Sequence, residues 1–484
     1  MSAFNPRRTK IVATLGPATS EKKVLVELVK AGMDVARLNF SHADHETHAK
    51  NLRTVRKINE ELNTNIAILQ DLQGPKIRIG DLIKPVKIKP GDVVTLRSDL
   101  GKQEKEGGDI PIRYETFAQD VSEGESILMD DGKIQAEVVG SNKKNKVQLK
   151  IIFGEEIKSR KGVNLPDTPI SLSTITEKDF KDIEFAIEHQ VEWLALSFVR
   201  SADDIRVLKE LIRLKNGTSR IIAKIEKPEA LENIDEIIKA ADGIMVARGD
   251  LGVEIPMYRV PVWQKKIIRK CNQAAKPVIL ATQVMESMID NPRPTRAEAN
   301  DAANALADGA DAVMLSGETS VGKYPVRVVS SMDSILRNVE AEEEDIYYRM
   351  LDDVDEDEGE YLSVAITKTA CKLARETNAK AIIAMTSSGY TAIQLSQCRP
   401  KGQIFAFSNN RPVLNTLNLV WGVKAFYYDS FESTDQTIQD VHEILKENEL
   451  VQTGDIMINT GSMPLHERGL TNMIKISRVR GKNL

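Results

Sequence analysis

Residues 221–250 read IIAKIEKPEALENIDEIIKAADGIMVARGD. Two short apolar runs, 221–225 and 244–247, flank a helix-like stretch, and each run ends in charged residues: Lys224 and Glu226 on the first, Arg248 and Asp250 on the second. Near-continuous Ile, Val, Ala and Met segments of this length are what parallel strands buried on both faces look like. The same unit recurs outward in both directions, with runs at 10–15, 35–40, 66–72, 193–199, 278–282 and 312–315. Eight strand-then-helix units over roughly 250 residues is the arithmetic of a closed (β/α)8 TIM barrel. A doubly wound open sheet is the competing architecture. EKKVLVELVKAG, preceded by Ser20, and SADDIRVLKELIRLKNG, ending at Gly217, carry plausible helix start and stop signals.

The alternation breaks after Gly74. VKIKPGDVVTLRSD, ESILMDDGKIQAEVVG and NKVQLKIIFGEEI alternate apolar and polar residues between Gly, Asp and Asn, a pattern of antiparallel strands. An inserted β-rich lid over 75–172 is expected, on the face where it can close over a site. The barrel then occupies 1–74 and 173–345. The acidic run LDDVDEDEGE reads as a solvated linker. Beyond it AIIAM, QIFAFS, VKAFYY, DIMINT and MIKISRV predict a separate doubly wound α/β domain over 346–484.

Length and composition agree with a multidomain globular chain. The net charge of −5 comes from 66 basic and 71 acidic side chains, well mixed. Without a basic stripe, nucleic acid is not expected as a partner. Cys271, Cys371 and Cys398 are scattered and odd in number, which fits a reducing compartment. The start is a poor signal peptide, and no apolar run approaches the ~20 residues of a membrane span. A cytoplasmic protein without membrane partners is expected.

Buried strands favour ionisable residues only where these project from the ends. Here nearly every run ends in one: Arg37, Asn39 and Ser41; Asp71; Ser197 and Arg200; Lys224 and Glu226; Arg248 and Asp250; Thr282 and Gln283; Ser316 and Glu318. In a barrel these ends converge on one rim. Lys224 and Glu226, two apart, share a strand face. With Asp250 they suit Mg²⁺ or Mn²⁺ and a phosphate shared by metal and lysine; a buried Lys224–Glu226 ion pair is the plainer reading. RGDLG supplies glycine amides at a turn, where a small anion fits.

Two decoys need weighing. Gly317-ETSV-Gly322-Lys323 nearly matches a phosphate-binding loop, but Tyr324 stands where a short metal-binding hydroxyl belongs, so the glycines are expected to shape a rim loop. His42, His45 and His48 have metal-like spacing but are expected to spread around a loop and helix start.

Together KIVATLGPAT, RLNFSH, QDLQGPKIR, IIAKIEKPEAL, MVARGDLGVEIP, ATQVMESMI, PRPTRAEANDAANA and MLSGETSVGKYP closely resemble the pyruvate kinase family, in order and over nearly the whole chain. The resemblance implies transfer of a phosphoryl group from phosphoenolpyruvate to ADP, the last step of glycolysis, with Mg²⁺ (or Mn²⁺). It makes Lys224 the lysine that stabilises the phosphoryl group in flight, and Glu226 and Asp250 the metal ligands. Arg37 holds the transferring phosphate. Gly249, Asp250 and Thr282 receive the substrate carboxylate. Thr282, Ser316 and Glu318 form the relay that delivers a proton to the enolate. Asn39, His42, Arg78 and Lys178 match nucleotide-side contacts.

Family members that need K⁺ bind it through groups matching Asn39, Ser41, Asp71 and the carbonyl of Leu72, near a glutamate. Lys76 stands at that glutamate's position, and a fixed ammonium can supply the charge K⁺ brings; activity without K⁺ is therefore expected, the alternative being a surface lysine in the hinge to the lid. Thr386, Ser387, Ser388, Gly389 and Thr391 match the loop where the family binds sugar-phosphate or nucleotide effectors; an ordinary helix cap is the alternative. The family is usually a homotetramer. Another metal-dependent phosphoenolpyruvate or oxoacid barrel, an aldolase or lyase, is the second functional reading, and a catalytically dead relative the third.

Overall fold

Each of the eight apolar runs forms a parallel strand of one closed barrel: β1 Lys10–Thr14, β2 Val35–Asn39, β3 Ala67–Asp71, β4 Trp193–Leu196, β5 Arg220–Ile225, β6 Gly243–Ala247, β7 Val278–Ala281 and β8 Ala312–Leu315. Each strand pairs with its sequence neighbours, and β8 closes on β1. The computed structural model describes residues 7–348, 361–430, 433–463 and 471–481. The acidic run read as a linker lies outside these residues.

Strand parity sorts the side chains. Val12, Val35, Leu69, Trp193, Ile222, Met245, Ile279 and Met314 fill the barrel interior, while Ile11, Leu38, Ile68, Leu194, Ile221 and Val246 pack outward under the helices. Side chains two apart share a face. The inward rows therefore continue upward as Thr14 on β1, Arg37 and Asn39 on β2, and Asp71 on β3. Ser197 continues β4, and Lys224 and Glu226 continue β5. The barrel mouth is polar because the inner face runs out of apolar residues at that height.

Two helix signals differ from expectation. Helix Lys22–Ala31 starts from Glu21, since the Ser20 hydroxyl is turned back onto the Pro17 carbonyl at 3.2 Å. Helix Ala202–Leu214 ends through Lys215, with Asn216 rather than Gly217 taking the positive φ, +56°, while the Gly217 amide closes the end on the Ile212 carbonyl at 2.8 Å. RGDLG is no open turn either: Arg248–Glu254 is a short helix, whose first residues tolerate helical φ as well as a turn.

The segment between β3 and helix Glu177–Glu188 builds a six-stranded sheet and a two-stranded one over their own apolar core. Pairing is antiparallel as expected, except that Val93–Arg97 and Ile110–Pro111 run parallel. The lid is fastened to the barrel by a buried clasp: Asn164 donates to Glu254 at 2.8 Å, and Glu254 pairs with Lys227 at 2.9 Å.

The C-terminal strands β9 Ala381–Met385, β10 Gln403–Ser408, β11 Val423–Tyr427, β12 Ile456–Gly461 and β13 Met473–Arg478 are ordered β11-β10-β9-β12-β13. All pair in parallel except the edge strand β13, and separate apolar clusters cover the two faces, a doubly wound arrangement. This domain docks on the N-terminal end of the barrel. Lys10 donates to the Val423 carbonyl at 2.8 Å, Asn65 to Ala425 at 2.9 Å and Trp193 to Thr416 at 3.3 Å. Leu419, fully buried, enters the barrel's own interior cluster beside Trp193 and corks its floor. Among the described residues no helix is long and apolar enough to cross a membrane.

Leu419→Ala leaves a cavity in that floor. It is expected to destabilise the protein by about 2–5 kcal/mol, read as a lowered midpoint of thermal unfolding.

Candidate active site

The inward rows meet at the C-terminal mouth of the barrel. The Lys224 ammonium has three N–H donors and three acceptors: Ser197 Oγ at 2.7 Å, Glu226 Oε1 at 2.9 Å and Asp71 Oδ1 at 3.1 Å. Asp71 also takes Arg37, through Nε at 2.8 Å and Nη2 at 2.7 Å, and Arg37 Nη1 reaches the Thr14 hydroxyl at 2.9 Å. The buried Lys224–Glu226 pair and the rim cluster are thus the same object. Asp71, which the sequence reading gave only to a monovalent cation, is the anchor of both cations.

Burial would raise the Asp71 carboxyl, but the Lys224 and Arg37 charges outweigh it and hold it below the usual carboxylate range. Burial works against the Lys224 charge too, yet Asp71, Glu226 and Asp250 together raise its pKa above the ordinary lysine value. Glu226 goes the other way. Burial, then the Asp250 charge, lift it above a normal glutamate despite Lys224. Two cations therefore face three carboxylates, an arrangement one further positive charge would relieve.

Asp250 lines a cleft of about 860 Å³ between barrel and lid, together with Gly249, Thr282, Ser316, Glu318 and Lys76 from the predicted set. Thr282 and Gln283 both have positive φ, +65° and +54°. A β-branched residue there is an outlier, of order 1–3 kcal/mol, and such strain gathers at functional sites. Arg248 holds it: Nη2 donates to the Thr282 carbonyl at 2.9 Å and Nη1 to Asp301 at 2.7 Å. The Gly249 amide donates to Thr282 Oγ1 at 2.7 Å, so amide and hydroxyl already face one another. Glu318 accepts from the amides of Ser316 at 2.6 Å and Met285 at 3.1 Å, and burial raises its carboxyl.

The residues expected on the nucleotide side, Asn39, His42, Arg78 and Lys178, do not line this cleft. His42 is held below the usual imidazole range by burial, then by Arg78, Arg37 and Lys76, which puts three cations near it. Lys178 is engaged with the Phe40 carbonyl at 2.7 Å and Asp182 at 2.6 Å. Asn39 Oδ1 accepts from the Ser41 amide at 3.0 Å, and the Leu72 carbonyl from Ser197 Oγ at 2.8 Å. Lys76 is exposed, its Cε 3.6 Å from where a Cβ on Gly162 of the lid would lie.

The decoys separate cleanly. Lys323 pairs with Asp290 at 2.8 Å, and Gly322 is needed because a Cβ would lie 2.3 Å from the Glu318 carbonyl oxygen. His45 meets Asp182 at 2.7 Å and His48 the His42 carbonyl at 2.8 Å. In the C-terminal loop Thr386 Oγ1 accepts from the Gly389 amide at 2.9 Å, and Thr391 is buried against Thr471 at 2.7 Å. Ser387 and Ser388 are exposed, and the Ser388 carbonyl takes Arg220 at 2.6 Å. Sequence placed Ser197 on the rim but not as the partner of Lys224, and it did not single out Thr14 or the Phe198 amide, which donates to Glu226 at 2.9 Å. Inward parity was the available signal for Ser197 and Thr14.

The family model for the pyruvate kinase barrel domain matches residues 6–329, and that for the pyruvate kinase alpha/beta domain residues 364–477. A relative named pyruvate kinase 2 from Synechocystis is 42% identical over 482 residues, 98% of this chain and 80% of that one. A pyruvate kinase from Geobacillus stearothermophilus is 42% identical over 476 residues, 97% of this chain and 80% of that one. Among solved structures, a pyruvate kinase from Cryptosporidium parvum superposes with a TM-score of 0.90 at 35% identity, covering 98% of this chain and 96% of its own.

Removing the shared carboxylate should be costly whatever the chemistry. Asp71→Asn leaves two buried cations short of a partner and is expected to destabilise the protein by about 3 kcal/mol, seen as an earlier midpoint in urea unfolding.

Proposed function

Since the chain belongs to the pyruvate kinase family, we propose how its own side chains divide the work of that reaction. The enzyme transfers the phosphoryl group of phosphoenolpyruvate to ADP, giving pyruvate and ATP. The observation that carries the assignment is the inward ammonium of Lys224, held beside Arg37 by Asp71 at the barrel mouth. Phosphoryl transfer asks mainly for positioning and charge. Lys224 stabilises the group as it moves, and Arg37 holds it from the β2 side. Lys224 keeps its charge near neutrality, because Asp71, Glu226 and Asp250 together outweigh its burial.

Glu226 and Asp250 fit a hard divalent ion, Mg²⁺ or Mn²⁺, by donor type and by the surplus negative charge around them. Mg²⁺ commonly takes one or two carboxylates and completes its shell with substrate oxygens. When bound, the ion supplies Lewis-acid neutralisation of phosphate and carboxylate oxygens. The amides of Gly249 and Asp250, with the Thr282 hydroxyl, receive the substrate carboxylate. Thr282 also heads the relay with Ser316 and Glu318 that delivers a proton to the enolate methylene carbon. The raised Glu318 carboxyl suits a group that must hold a proton. Asn39, His42, Arg78 and Lys178 face the nucleotide.

The finer reading also includes domain boundaries at 74/75, 172/173 and 345/346, a cytoplasmic homotetramer, and a sugar-phosphate or nucleotide effector at the exposed Ser387 and Ser388 with Thr386, Gly389 and Thr391. Lys76 stands in for K⁺; its charge is felt at His42, on the same side of the mouth as Arg37. No nucleic acid or membrane enters this reading. An aldolase or lyase reaction has no use for ADP, so ADP-dependent release of pyruvate separates it from the kinase.

The test is pyruvate formation from phosphoenolpyruvate and ADP with Mg²⁺. Lys224→Met is expected to lose about 10³-fold or more in phosphoryl transfer while retaining exchange of pyruvate's methyl protons; a full rate in that variant overturns its role. Replacing K⁺ by tetramethylammonium is expected to leave the wild-type rate unchanged, and a collapse refutes the role of Lys76.

A further inference from the structure

The geometry points to Ser197 as a positioning residue for Lys224, a role that rests on the reading of Lys224 above. Ser197 is the first residue past β4 and continues the inward row Trp193, Ala195. It is 2% exposed. Its hydroxyl accepts from the Lys224 ammonium at 2.7 Å and donates to the Leu72 carbonyl at 2.8 Å. A hydroxyl has one proton, so the donated bond fixes which side of the oxygen faces the lysine. Of the ammonium's three acceptors, Asp71 is shared with Arg37, and Glu226 is also claimed by the Phe198 amide and the metal role. Ser197 alone is neutral, and it is the shortest of the three contacts. It sets the direction of the ammonium without lowering its charge.

The next residue completes the clasp. Phe198 has φ +55° and donates its amide to Glu226 Oε2 at 2.9 Å. One dipeptide therefore holds the ammonium by a side chain and the neighbouring carboxylate by the backbone. Its backing is Gly74, at φ +65°, the residue from which the chain leaves for the lid. A Cβ there would lie 2.9 Å from Phe198 Cδ2 and 3.0 Å from Ser197 Cβ, so only glycine lets the lid's root press against the pair.

The test compares Ser197→Ala with Lys224→Met in the full-length enzyme, measuring kcat, KM for phosphoenolpyruvate, and methyl-proton exchange of pyruvate. Loss of one charge-assisted hydrogen bond from a residue that aims the lysine lowers kcat for phosphoryl transfer about 10- to 100-fold. KM and proton exchange stay within about threefold, because the substrate-carboxylate and relay groups are untouched. Retained exchange also reports that the variant is folded. An unchanged kcat overturns the role, and so does a parallel fall of transfer and exchange, which marks a merely structural residue. If Lys224→Met itself keeps full transfer, the assignment of Lys224 fails; if it loses transfer while Ser197→Ala does not, Ser197 alone is wrong.

Discussion

One buried carboxylate, Asp71, answers two cations that come from other strands. Its side chain is 2% exposed, and taking an ion out of water costs several kcal/mol unless geometry and hydrogen bonds compensate. Here they do, since Arg37 and Lys224 both close on it. The compensation exists only while β2, β3, β4 and β5 stay in register. Asn39 lies opposite Asp71, Asp71 opposite Ala195, and Leu196 opposite Ala223. A slip of one residue would turn the inward row outward and bury these charges against helices. The polar mouth and the apolar barrel below it specify each other.

That interdependence explains what could be read from the sequence. The eight strands were visible because strands covered on both faces must be apolar throughout, and ionisable residues at their ends had nowhere to go but the rim. Lys224 and Glu226 declared a shared face by spacing alone. The partners of those groups were hidden for a different reason. Ser197 is a common residue whose role depends on where β4 stops relative to β5, and Asp71 needed the three-dimensional neighbourhood of two strands before its doubled duty appeared. Thr282 shows the same limit: nothing in its type announces a positive φ, which Arg248 imposes from the preceding strand's end. Local signals were the least dependable. Ser20 looked like a helix start, but a neighbouring turn took its hydroxyl, and at the Gly217 helix end the positive φ fell to Asn216 instead.

The lid and the C-terminal domain attach in contrasting ways. The lid hangs from Gly74 and is tied to the barrel by polar contacts, Asn164 with a Glu254 that Lys227 holds in place, and the Leu172 carbonyl with Arg200. Hydrogen bonds of this kind are individually modest and directional. The C-terminal domain is joined by backbone-directed polar contacts and by apolar burial together, from Lys10 and Asn65 at the rim of the floor to Leu419 at its centre.

Leu419 carries a consequence for the lineage of such chains. The stopper of the barrel is encoded far downstream of the barrel, inside another domain. Recombination that exchanged C-terminal domains between relatives would exchange the stopper as well, and a hybrid would survive only where the incoming plug matched the bore beside Trp193. The two domains are bound to drift together, sequence change in one being filtered by the shape of the other.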